Sequence, residues 1–367
     1  MLIFILFIIT IILTITIPVV KRVYSKLKLM AVMNLSYERK FSVTGAFEDE
    51  DVYLIETVYN KSFIPVFFVD IEFYLYNELD TGGFEMGSDY VSYIRNQSSA
   101  MQMVLSRFHL MPFIKVVRQH RITCRRRGYY QLDSIGIQCN DIPVYKPSRT
   151  EIYIYPKIVD VKYESKPFNI SQGNTLSMNR VITDPFLISG IRDYQTGDSF
   201  NMINFKATAK AMATHSIKVN KLDYSSSRTF MVYINFQKLS ETTMPGKIYE
   251  SIMEKALSYS ASFINDALKN GYKVGLSANC MTSAGEMKIE FPQVNGLYHI
   301  EEILKEIAKA RIVSGASFGS LLNHSIVNNM RDSELYIMSI YIDDEIEEKL
   351  NLLRKLNNYV HIIKLGE

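Results

Sequence analysis

The sequence predicts an α+β multidomain protein: an N-terminal transmembrane helix, an antiparallel β-sandwich, and an α/β unit with a mainly parallel sheet. Three observations carry this. Residues 1–20 contain no charged side chain. Residues 36–146 fall into short runs rich in Val, Ile, Tyr and Phe, punctuated by turn residues. From Thr229 onward, short apolar strands alternate with helical patterns, the signature of a parallel sheet covered on both faces.

The apolar run from Met1 to Val20 is long enough, at 1.5 Å per residue, to span a hydrocarbon core of roughly 30 Å. A cleaved signal peptide is the rival reading, but no basic n-region precedes the run and no small-x-small site follows it. Lys21, Arg22, Lys26 and Lys28 then place residues 21–35 as a basic juxtamembrane segment on the cytoplasmic side. The expectation is a single-pass anchor in the cell membrane, contacting the bilayer through residues 1–20, with its soluble domains cytoplasmic.

Charge argues against a nucleic-acid partner. The net charge of the 367 residues is +3, from 41 basic and 38 acidic side chains. Setting aside the four basic residues beside the apolar run leaves 37 against 38. A nucleic-acid binder carries its excess on the folded domain, where counterion release drives affinity. Cys124, Cys139 and Cys280 show no CxxC or zinc spacing and read as reduced, buried thiols.

Within 36–146, strands are expected at Val52–Tyr59, Ile64–Tyr76, Phe113–Cys124 and Tyr129–Cys139. Arg125, Arg126 and Arg127 separate the last two and read as a solvated hairpin end, with a phosphate or headgroup patch as the alternative. Residues 147–228 form a connector, with a strand at Glu151–Tyr155. The α/β unit, 229–367, begins with the strand Phe230–Ile234. A helix follows from Tyr249 to Lys269, its apolar positions Ile252, Ala256, Tyr259 and Phe263 in helical register and Asn270-Gly271 as the stop. Further strands are expected at Tyr272–Ala278, Glu334–Ile342 and Tyr359–Leu365, and helices at Ile300–Ala310 and Glu345–Leu356.

The connector contains the most informative stretch. Arg192, Tyr194, Gly197, Asp198, Ile203, Phe205 and Lys206 stand within a segment that turns at Gly197-Asp198 and runs into a helix expected over Phe200–Met212. Two readings stay open. In one, Arg192 pairs with Asp198 or with turn carbonyls, Tyr194 packs, and the segment staples two domains. In the other, Arg192, Tyr194 and Lys206 form a docking surface.

This stretch resembles the signature of the DUF58 family: Arg-x-Tyr-x-x-Gly-Asp, then Ile-x-Trp-Lys, then Ala and a basic residue. Arg192, Tyr194, Gly197, Asp198, Ile203, Lys206, Ala209 and Lys210 supply it in order. Phe205 replaces the family's Trp, keeping an aromatic core plug, and Asn201 replaces a common Arg. Arg127-Gly-Tyr-Tyr130 and Lys273-Val-Gly-Leu276 are similar to other family segments, whereas Asp141-Ile-Pro-Val144 departs from the family's Asp-Pro-Phe-Gly. The resemblance implies a von Willebrand A-like C-terminal α/β domain and a MoxR-type AAA+ ATPase partner.

Such a domain holds a cation through Asp-x-Ser-x-Ser after its first strand, because hard cations need several oxygen ligands. Here the loop reads Asn235-Phe-Gln-Lys-Leu239, so Asn235 marks a degenerate metal-site position and no metal or other cofactor is expected. Gly315-Ala-Ser317-Phe-Gly319 matches a nucleophile-elbow pattern, with Asp332, Asp343, Asp344 and His361 following, but the helix before it leaves little room for the strand an elbow needs. His109, His120, His215, His299 and His324 lack ligand spacing. The expectation is therefore a non-enzymatic adaptor or scaffold, with no catalytic residue. The alternatives are a serine hydrolase using Ser317 and an extracytoplasmic adhesion or envelope-assembly module.

Overall fold

The structure, a computed structural model, describes residues 2–82, 91–95, 100–139, 142–159, 183–196, 198–211, 216–224, 229–238, 245–269 and 271–366. Within these, the side chains at 2–13, 28, 92–95, 139, 142, 183–189 and 221–224 lie outside the description.

Helix α1 (Leu2–Met33) runs without a break through the four basic residues and ends by burying Ala31 and Val32 in the sandwich core. This corrects the expected transmembrane anchor. Among the described residues no helix is long and apolar enough to cross a membrane. The described side chains of α1 include Pro18, Lys21, Arg22 and Lys26, so its apolar character is interrupted. The fold is a mixed α+β arrangement of several sheets.

The sandwich is built from β1 (Leu35–Phe41), β2 (Gly45–Phe47), β3 (Asp51–Asn60), β4 (Val66–Tyr76), β5 (Leu79–Asp80), β6 (Val91–Arg95), β7 (Met101–Leu110), β8 (Lys115–Cys124), β9 (Gly128–Cys139) and β10 (Ile142–Tyr155). One sheet has the order β1-β3-β8-β5 and the other β2-β10-β9-β4-β7-β6, with only the short β2–β10 pair parallel among the described pairings. Strict alternation makes the two faces: along β3, Val52, Leu54, Val58 and their even-numbered neighbours point inward. They meet Ile71, Phe73, Ile137 and Ile152 of the facing sheet. Strand β10 continues past 146, where the sandwich was expected to end, and absorbs the separate strand expected at Glu151–Tyr155. Pro147 and Ser148 have turn composition, but they sit in a register shift where β10 bulges against β9 and then pairs again.

A two-stranded arm follows, formed by β11 (Thr183–Asp193) and β12 (Lys218–Tyr224), with the short helix α2 (Phe205–Lys210) between them.

The α/β unit comprises β13 (Thr229–Ile234), α3 (Gly246–Lys269), β14 (Lys273–Ala278), β15 (Cys280–Thr282), β16 (Ile289–Val294), α4 (Leu297–Lys309), β17 (Ala310–Ser314), α5 (Phe318–Val327), β18 (Ser333–Ser339), α6 (Asp344–Lys355) and β19 (Tyr359–Lys364). Its main sheet has the order β16-β14-β13-β18-β19, with β16 an antiparallel edge and the other four strands parallel. Central β13 is apolar from Phe230 to Ile234 because both its faces are covered there. Phe230, Val232 and Ile234 pack under α3 and α4, whereas Met231 and Tyr233 pack under α5 and α6. Gly275 on β14 is required by close approach: a Cβ there would meet Met231 Sδ at 2.6 Å and the Phe291 carbonyl at 2.7 Å.

Candidate functional site

The arm shows how the motif residues are used. Arg192 grips Asp198 at two points, Nη1 to Oδ2 at 2.7 Å and Nη2 to Oδ1 at 2.6 Å. The same carboxylate accepts the Gln195 backbone N–H at 2.8 Å. These hydrogen bonds hold the Asp198 carboxyl down to about 2. Ile203 bridges back to Val219, and Tyr194 donates its backbone N–H to the Ile217 carbonyl at 2.8 Å. Gly197 lies outside the described residues.

Two expectations for this segment are corrected. The helix expected over Phe200–Met212 is split into a 3₁₀ turn at Phe200–Met202 and α2, because Asn204 takes an extended conformation and caps α2 by accepting the Ala207 N–H. Phe205 is no core plug: as the first residue of α2 it is 76% exposed, and Phe200 is 81% exposed. Ile191, Tyr194 and Ile217 are exposed beside them, as is Lys206. Of the two readings left open, the Arg192–Asp198 pair named in the first is formed.

Arg127, in the turn before β9, ties the sandwich to the α/β unit beside Phe47, Tyr153 and Tyr155, which pack into the α/β core. Its guanidinium is buried and reaches Glu254 of α3 at 2.8 and 3.0 Å. Nη1 also donates to the carbonyls of Ile307 and Ala310 at 2.8 Å, closing the C-terminal end of α4. Its own N–H donates to Glu48 at 2.6 Å. Of the three arginines read as a solvated hairpin end, Arg125 and Arg126 are half exposed, and Arg126 pairs with Glu250. Arg127 departs from that reading because burial against α3 and α4 was invisible locally. Beside the joint lies a cleft of about 970 Å³ lined by Arg126, Lys157, Lys247, Glu250, Lys255 and Tyr259, among others.

Ligands of open parallel sheets bind outside the carboxyl ends of the strands. Here that position is filled by neutral groups bonded to one another. Buried Asn235 donates through Nδ2 to Ser339 Oγ at 3.0 Å. Its Oδ1 accepts from the Gln237 N–H at 2.9 Å and from Asn279 Nδ2 at 3.2 Å. Asn279 Oδ1 accepts the Phe236 N–H at 2.7 Å, and Gln237 Oε1 accepts the Phe318 N–H at the start of α5 at 2.9 Å. The network contains no carboxylate. Its oxygens already face protein donors, so the set does not fit a hard cation.

Around Ser317 the structure overturns one premise and removes another. A strand does precede it, β17, and α5 follows. Yet Ser317 has φ −66 and ψ 134, ordinary extended backbone with none of an elbow's strain. His361 stacks on Tyr336 at 4.6 Å, on the α3 face of the sheet, while α5 covers the opposite face. Asp343 caps α6 through the Ile346 N–H, Asp344 opens that helix, and Asp332 binds Asn357.

The remaining histidines and thiols resolve as follows. His299 donates to the Val274 carbonyl, His324 pairs with Glu290, and His109 contacts Phe68; His215 lies outside the described residues. Cys124 and Cys280 are free and buried, and burial pushes both thiols up to about 12. His120 was read as an ordinary polar position but is buried in the sandwich on Glu56, Nε2 to Oε2 at 2.6 Å. Tyr37 and Ser106 also donate to Glu56, each at 2.8 Å. Arg39, cross-strand from Glu56, is buried over the Phe73 ring with Nε and Nη1 lacking a hydrogen-bond partner. Polar residues at the inward parity of β1, β3 and β8 were the available signal.

Residues 190–364 match the family described as Protein of unknown function DUF58. No curated protein matches the chain. Similar solved structures include the CARDB domain of a Pyrococcus furiosus protein, 9% identical, spanning 33% of this chain and 93% of its own, with a TM-score of 0.22. A cohesin module of a Clostridium perfringens family 33 glycoside hydrolase is 10% identical, spanning 33% and 95%, at 0.24. A chain of a Clostridium thermocellum cohesin–dockerin complex is 12% identical, spanning 32% and 99%, at 0.23. At these scores the likenesses carry no argument.

Proposed function

We propose, from the premise that residues 190–364 form a DUF58 unit, that this protein is a non-enzymatic adaptor whose arm docks a MoxR-type AAA+ ATPase. The ATPase enters by family resemblance. The observation that carries the binding reading is the pair Phe200 and Phe205, both exposed on a segment that the Arg192–Asp198 pair holds in one shape. Exposed aromatics on a pre-shaped surface are typical anchors of protein interfaces, where loss of one costs more than about 1 kcal/mol. The self-satisfied network at Asn235 and the unstrained backbone of Ser317 favour holding over reacting.

The test is direct binding of the full chain to the MoxR-type ATPase encoded nearest its gene, measured with and without ATP. Phe200→Ser combined with Phe205→Ser should weaken binding at least roughly tenfold, equivalent to about 1.4 kcal/mol. No binding by the wild type in either nucleotide state, or unchanged binding by the folded double variant, overturns the proposal.

A further inference from the structure

We propose that the end of the sandwich from which α1 emerges is a lipid-surface contact, in which the tips of two connections between the sheets, residues 61–68 and 111–115, insert apolar side chains among anionic headgroups. This is a surface contact made by loops, it requires no spanning helix, and it is independent of the arm.

The two tips are locked together. Buried Asn60 donates through Nδ2 to the carbonyls of Ile64, Leu110 and Met111, at 2.8, 3.3 and 3.2 Å. Its Oδ1 accepts from the Ser62 N–H and hydroxyl at 3.0 and 2.7 Å. From this platform Phe63, Phe67, Phe68, Met111, Phe113 and Ile114 project into solvent. Two of them do so at a conformational cost. Phe68 has φ 55 and Phe113 φ 57, in the left-handed region that disfavours bulky side chains. Each is nevertheless 60% exposed, so burial within the chain does not offset the strain. Phe68 sits in a register shift between Val66 and Val69, which turns two consecutive phenylalanines outward where simple alternation would bury one.

Charge selects the occupant. Lys61 and Lys115 stand exposed within the tips. Strand β1 starts at this end, since Leu35 pairs with Asn60, and α1 leads away from it with Lys21, Arg22 and Lys26 exposed. Lys26 is about 9 Å along the helix axis from buried Val32. No Asp or Glu occurs in residues 14–37, 59–69 or 109–118. Apolar tips flanked by these exposed basic side chains suit an anionic lipid surface. The core of a protein interface is depleted in lysine, and a partner protein or a second copy fits this end less well.

The absence of tryptophan from the chain gives a clean probe. Phe68→Trp and Phe113→Trp, each in the full chain, would be compared with Tyr53→Trp, six residues along β3 from Tyr59 and hence about 20 Å away. Vesicles of phosphatidylcholine with phosphatidylserine are added, then the same vesicles with brominated acyl chains. Blue shift and quenching are expected at 68 and 113 but not at 53. Lys61→Gln with Lys115→Gln should raise the lipid concentration needed by roughly tenfold or more. Because the readout is positional, vesicle binding through α1 alone does not mimic it. Unshifted tip emission, an equal shift at position 53, or a vesicle-independent shift that grows with protein concentration overturns the proposal.

Discussion

Arg127 and Glu254 form a two-point ion pair, at 2.8 and 3.0 Å, between the turn before β9 and helix α3. The pair ties the sandwich to the α/β unit at a place where the arginine is also the cap of α4. Removing Arg127 leaves Glu254 with Arg126 alone, at 3.6 Å, and leaves the carbonyls at the end of α4 without their donor. Arg127→Ala should therefore lower the unfolding free energy by about 3 kcal/mol. Arg126→Ala, whose ion pair is half exposed, should cost less than about 1 kcal/mol. Urea denaturation of the two variants distinguishes them, and equal costs would show that Arg127 is not the joint.

At the strand ends, Asn235→Asp places a carboxylate where the present network offers Ser339 an amide donor. The new oxygen faces another oxygen, and the charge is buried. A loss of about 1–3 kcal/mol is expected at neutral pH. Burial raises the pKa of such an acid above its unfolded value, so the loss shrinks as pH falls and the group is protonated. Thermal melts at pH 5 and pH 8 read this directly. A variant stabilised by added Mg²⁺ would show instead that the loop retains a cation site.

The arm's shape depends on an ionised Asp198. Its folded pKa, about 2, lies below the ordinary aspartate value. A depressed carboxylate contributes stability that is present above the unfolded pKa and disappears as pH falls through the folded one. The protection of amides across β11 and β12, relative to the intrinsic exchange rate at each pH, should therefore be high at neutral pH and fall between about pH 4 and pH 2. Asp198→Asn should show the lower protection already at neutral pH, while α3 and β13 stay protected. Unchanged protection in the arm would separate its order from the ion pair.

Local pattern made some of this architecture legible. Phe230–Ile234 announced a two-sided strand by being apolar at every position, and Ile300, Ile303, Leu304 and Ile307 announced α4 by their spacing. The Arg192–Asp198 pair was readable because its partners are six residues apart. Helix α5 was hidden by its entry, Gly315-Ala-Ser-Phe-Gly319, which has loop composition although Phe318, Leu321 and Leu322 carry a helical stripe. The role of Arg127 was beyond reach for a different reason: its acceptors lie 127 to 183 residues away, and nothing near it marks burial. The outward phenylalanines at 67 and 68 read as one strand, since a bulge depends on the register of a distant neighbour.

The buried cluster in the sandwich gives a prediction with both a magnitude and a pH dependence. Burial pushes the Glu56 carboxyl up, but the hydrogen bonds from His120, Tyr37 and Ser106 outweigh it, and the group stays below its usual range. Its contribution is thus present above the unfolded carboxylate pKa and lost as pH falls. Glu56→Gln keeps the shape and removes the charge facing His120 and Arg39. About 3 kcal/mol should be lost at neutral pH, because Arg39 remains buried with a charge and too few acceptors. The difference should shrink as pH falls below the unfolded carboxylate value and vanish once pH has passed through the folded pKa of Glu56, as protonation of Glu56 removes the same charge. Denaturant titrations at several pH values test this. Equal stability at neutral pH would mean that the Arg39 charge is held by other groups.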